Sequence, residues 1–130
     1  MSAELVTSID LNEAMIATSR SLDEAHDDLN LRARQWAEAE REYRKSIPGE
    51  WLRVRSEADG RGEKLLADQA KARVESATAD LRFARDVADA QRVAASELIR
   101  TLRARLNAFQ SIAANVRVEA ELAGRYERTG

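Results

Sequence analysis

The chain has 130 residues, of which 44% are apolar and 34% charged, and its 21 Lys or Arg against 23 Asp or Glu leave a formal net charge of -2. That balance excludes a global pull toward nucleic acid or anionic membrane, while local rows of charge stay open. Zero cysteines exclude disulfides, thiol catalysis and cysteine-based zinc sites, and one proline with 5% aromatic residues suits a solvated helical rod better than a globule.

The length predicts a single domain. No apolar run approaches the roughly 18 residues of a membrane span. The opening MSAELVTSIDLNEA is acidic and has no secretory apolar core, so a cytoplasmic protein without a membrane partner is expected.

The first helix is predicted to start between Ser2 and Asp10, with Thr7, Ser8 or Asp10 as cap and Glu13 three residues beyond Asp10. Its stripe Leu11, Met15, Leu22, Leu29, Trp36 and Tyr43 leads to Ile47. Pro48-Gly49 is expected to kink the helix, because proline lacks a backbone donor and crowds the preceding turn. The stripe nevertheless continues through Ile47, Trp51, Val54 and Ala58, so helix 1 is predicted over about residues 8–58.

Asp59-Gly60-Arg61-Gly62 is the strongest turn signal, with Gly60 expected in the left-handed conformation. Helix 2 follows over about 63–123, with a tail at 124–130. Its apolar series Ala67, Val74, Leu81, Ala88, Ala95, Leu102, Phe109, Val116 and Ala123 keeps a period of seven for its whole length. A second seam is predicted at Ala70, Ala77, Ala84, Gln91 and Leu98, drifting to Leu106, Ile112 and Ala113. The fold expected is all-α: a long antiparallel helical hairpin, or coiled coil, in which partners' numbers add to roughly 121.

Charge favours that register. Glu4, Asp10, Glu13, Asp23, Glu24, Asp27 and Asp28 lie in the first arm, and Arg92, Arg100, Arg103, Arg105 and Arg117 in the last. Alanine-rich seams bury little, and helix 2 carries apolar residues on a second side. Self-association into an oligomeric helical bundle is therefore expected, through Phe83, Val87, Ala90, Ala94, Leu102 and Phe109.

No catalytic set can be assembled. With one histidine and no cysteine, a nucleophile, base and orienter are missing, no glycine-rich phosphate loop follows a strand, and the protein is read as non-enzymatic without a cofactor. Asp23, His26 and Asp27 share a helix face as in bundle metal sites, but matching ligands are lacking and a solvated acidic face is the reading. Arg41, Arg44, Lys45, Arg53 and Arg55 gather with Trp51 near the turn, a mixture that can hold phosphates and stack a base. Trp51 also fits the core stripe. Arg100, Arg103 and Arg117 form the second candidate surface, on the outer face of the C-terminal arm.

The stretch from Ala39 to Gly124 resembles small helical proteins of tailed phages and prophages. The resemblance rests on a Tyr-containing first helix, a glycine turn and a long second helix with the segment LRARLNAFQS, Leu102 to Ser111. Members tend to belong to early replication and recombination genes. More distantly the layout is similar to UvsY-type recombination mediators, which are oligomeric, helical, and bind single-stranded DNA and a recombinase. The resemblance implies an oligomeric accessory protein of DNA recombination or replication in the host cytoplasm, with itself, single-stranded DNA and a recombinase as partners. The alternative is an adaptor or inhibitor that docks a helical face on a host factor and binds no nucleic acid.

Overall fold

The computed structural model describes residues 8–129, which are helical in three elements with no strand among them: α1 (Ser8–Gly60), α2 (Ala67–Ala77) and α3 (Ala79–Thr129). They pack as two units. One is Leu29–Ala95; the other joins Met1–Asp28 to Ser96–Gly130. Thr7 and the other potential caps before Ser8 lie outside the described residues.

α1 runs unbroken through Pro48. The missing proline N–H deprives the Arg44 carbonyl of its donor, and both residues are exposed, so water can serve instead. The turn lies later than the sequence suggests. Gly60 is the last residue of α1, and Gly62 takes the left-handed conformation at φ 65°. The Glu63 N–H bonds to the Ala58 carbonyl at 2.9 Å and the Gly62 N–H to that of Asp59 at 3.1 Å, the paired bonds of a Schellman cap. Residues 61–66 connect to α2, whose entry is held by the Gln69 side-chain oxygen accepting from the Leu66 N–H at 3.4 Å.

The single second helix expected over 63–123 is divided at Thr78 and extends beyond Gly124. Thr78 is buried, and its hydroxyl donates back to the Val74 carbonyl at 2.8 Å and lies 3.4 Å from that of Glu75. Such back-bonding bends a helix without ending the chain of hydrogen bonds. Indeed the Thr78 N–H still reaches Val74 and the Arg82 N–H still reaches Thr78, each at 3.0 Å. Gly124 does not stop α3 because a lone glycine weakens a helix by only about 1 kcal/mol.

In the unit Leu29–Ala95, Val54, Ala70 and Val74 form the core, with Trp51 and Leu65 packed against it. Arg32 pairs with Gln91, Glu40 with Arg85, and Tyr43 with Arg85, so α1 and α3 run antiparallel within this unit. In the other unit, Leu11, Thr18, Ala25, Ile99 and Leu102 are buried. Here the start of α1 and the end of α3 line one groove.

The second seam of the returning helices differs from expectation. Only Ala70 of the predicted set is buried, whereas Ala77, Ala84, Gln91 and Leu98 are exposed. Thr78, Arg85, Arg92 and Ile99, also seven apart, take the place of those four and lead into Leu106 and Ala113 of the predicted drift, which are half-buried, while Ile112 is exposed. Of the main series, Ala67, Leu81 and Ala123 are exposed and the rest are buried or half-buried.

Candidate functional site

Two arginines of α3 are absorbed by the fold. The Arg85 guanidinium sits 4.5 Å from the Tyr43 ring centre, and that of Arg92 sits 4.9 Å from Trp36. A guanidinium over an aromatic face gains electrostatic attraction while its stem covers apolar surface. Each is also neutralised nearby: Arg85 by Asp86 at 2.9 Å and Glu40 at 3.5 Å, Arg92 by Asp89 at 2.6 Å. The Asp86 hydrogen bond raises the Arg85 pKa above its ordinary value, against partial desolvation.

The candidate cations near the turn separate into two groups. Arg53 bonds to Glu50 at 2.7 Å and Glu57 at 2.9 Å, and these bonds raise its pKa. Arg44 is ion-paired with Glu40. Arg41 and Lys45 are exposed, and no acidic side chain among the described residues lies within ion-pair distance of them. Trp51 is half-buried on the core cluster, with the Arg55 guanidinium 5.5 Å from its ring centre. Packing against Val54 and Val74 therefore takes up one side of Trp51.

Helix geometry aligns the second group. Arg34, Arg41, Lys45 and Leu52 follow at spacings of seven, four and seven and are all exposed, whereas Trp36, Tyr43, Trp51, Val54 and Ala58 turn inward. Arg44 and Arg55 flank this outer row, and Glu38 interrupts it.

The C-terminal set does not share one face. Arg100 is ion-paired with Glu97 at 3.1 Å, Arg103 is exposed, and Arg117 lines the groove beside the start of α1. At 100° per residue Arg117 falls close to the Ile99 and Leu106 side of the helix, which removes it from the outer face predicted for it.

The apolar candidates also divide. Phe83, 70% exposed, together with Val87, Ala90 and Ala94 forms an exposed stripe on α3 opposite the seam. Leu102, expected at an interface between chains, is 5% exposed and belongs to the core of its own chain. Phe109 is half-buried in the same helix. The reason lies in phase: Leu102 continues the Ala88 and Ala95 seam, while Phe83 and Val87 stand about half a turn away.

Sequence reasoning missed Thr18, Thr78, Arg85 and Arg92 as seam residues because it followed mainly apolar side chains, which set the second seam one residue early, at Ala77, Ala84, Gln91 and Leu98. Their signal was position: each lies seven residues from an inward neighbour, with Thr satisfied by its own backbone and Arg by an aromatic partner.

Among the described residues no group of three or more His, Cys, Asp or Glu is placed to hold a metal. No helix of the described residues is long and apolar enough to cross a membrane. No protein-family model matches the chain, and neither does any curated protein or solved structure.

Proposed function

We propose that the chain is a non-enzymatic, self-associating accessory protein of phage DNA recombination or replication, which engages single-stranded DNA, a recombinase, or both. The supporting observation is the outer row Arg34, Arg41 and Lys45 on α1, exposed and set opposite the aromatic seam. Repeated around an oligomer, such a row gives a phosphate-binding surface even though the chain is slightly acidic. Self-association would use the stripe Phe83, Val87, Ala90 and Ala94.

That same stripe favours a second reading, an adaptor that docks this face on a host factor and never touches nucleic acid. An exposed phenylalanine among small residues is an anchor suited to a protein groove.

A titration of labelled single-stranded DNA at two salt concentrations separates the readings. The first expects binding that weakens with salt, and Arg41→Glu with Lys45→Glu should flatten the slope by roughly 0.7 for each phosphate that is no longer neutralised. Absence of binding at low salt would overturn its DNA-binding form and leave a role through protein partners alone.

A further inference from the structure

The unit that joins the start of α1 to the end of α3 carries a groove of about 550 Å³. Its floor is apolar, from Leu11 and Met15 on α1 and Val116 and Ala120 on α3, and among the described residues its one charged wall residue is Arg117. Arg117 has no acidic partner within ion-pair distance among the described residues, in contrast to Arg53 and Arg100. A second hollow shares Arg117 and Ala120 with the groove and continues past Gly124 to Arg125 and Arg128, with Glu121 as its single acid among the described residues. From Ala113 to Arg128 the two span about 22 Å along α3, the length of roughly four helical turns.

We propose that this groove docks an acidic amphipathic helix of a partner protein. An apolar trough between two helices takes the apolar stripe of a third. Its cationic wall selects that helix by charge: a glutamate or aspartate flanking the stripe meets Arg117, whereas a lysine meets it with repulsion. Gly124 leaves open space where a side chain would stand, which lets the docked backbone approach α3 closely. The inference rests on the reading that the chain works through a protein partner, and it names that partner's chemistry.

The test uses the full chain and two fluorescein-labelled peptides of about 18 residues, long enough to cover the groove as a helix. Both carry leucine at the same amphipathic spacing, one flanked by glutamate and the other by lysine. Fluorescence anisotropy should show the glutamate peptide binding roughly two- to fivefold tighter, the effect of one exposed charge pairing. Arg117→Glu, at an exposed position, should reverse the preference. Ala120→Trp should weaken both peptides by filling the trough, with helicity by circular dichroism unchanged. Failure of both peptides to bind, equal binding of the two, or a preference untouched by Arg117→Glu would overturn the proposal. Arg41→Glu with Lys45→Glu should leave peptide binding intact, so a failed DNA titration and a failed groove are told apart.

Discussion

The unit Leu29–Ala95 is held by aromatic and charged layers, and the unit containing the chain ends by small and aliphatic ones. In the first, Trp36, Tyr43 and Trp51 each carry an arginine, and Arg73 closes the connector onto Glu63 at 2.5 Å. Hydrogen bonding to Arg73 holds the Glu63 carboxyl below its ordinary pKa. In the second, Leu11, Thr18, Ala25, Ile99 and Leu102 are buried, Phe109 is the one half-buried aromatic among its described residues, and a groove remains open beside Leu11 and Met15. Large flat side chains take up more of the space between two helices than alanines do, so the same seven-residue period leaves hollows of about 390 and 190 Å³ beside Trp51 in one unit and a groove of about 550 Å³ in the other.

The strongest test of this contrast places a carboxylate in each seam. Val74→Asp buries an unpaired charge in the Val54 and Ala70 cluster and should cost several kcal/mol, enough to lower the thermal midpoint steeply by circular dichroism. Leu11→Asp should cost less, because the groove admits water beside it. Equal destabilisation by the two would dissolve the distinction.

Glycine substitutions should act in opposite directions. Gly62→Ala forces a side chain into the left-handed conformation of the Schellman cap and should destabilise by roughly 1–2 kcal/mol. Gly124→Ala lies within α3 with open space around it and should stabilise by up to about 1 kcal/mol. Urea denaturation resolves both, and a destabilising Gly124→Ala would contradict the helical continuation of α3.

The aromatic layers are the smallest effect. A double-mutant cycle with Trp36→Leu and Arg92→Gln should give a coupling of about 0.5–1 kcal/mol, the scale of an exposed cation–π pair. A coupling near zero would make Arg92 a bystander and leave the seam to apolar packing alone.

The amino-acid order by itself determined that the chain is helical and interrupted after Asp59, because a seven-residue period and a Gly-x-Gly turn are local in origin. It also marked Phe83, Val87, Ala90 and Ala94 as apolar side chains off the main seam, which the fold leaves exposed. The break at Thr78 and the left-handed Gly62 were decided by the tertiary structure, since both depend on where the return helix must meet α1 to cover Val54. The fate of Arg85 was likewise legible only in three dimensions. The clasp of Arg53 by Glu50 and Glu57 is written in its own helix, three and four residues away, whereas nothing near Arg85 announces the ring it covers. What separates Arg85 from Arg53 and Arg41 is the neighbour that folding brings to its guanidinium, and an aromatic partner some forty residues away leaves no mark on the local sequence.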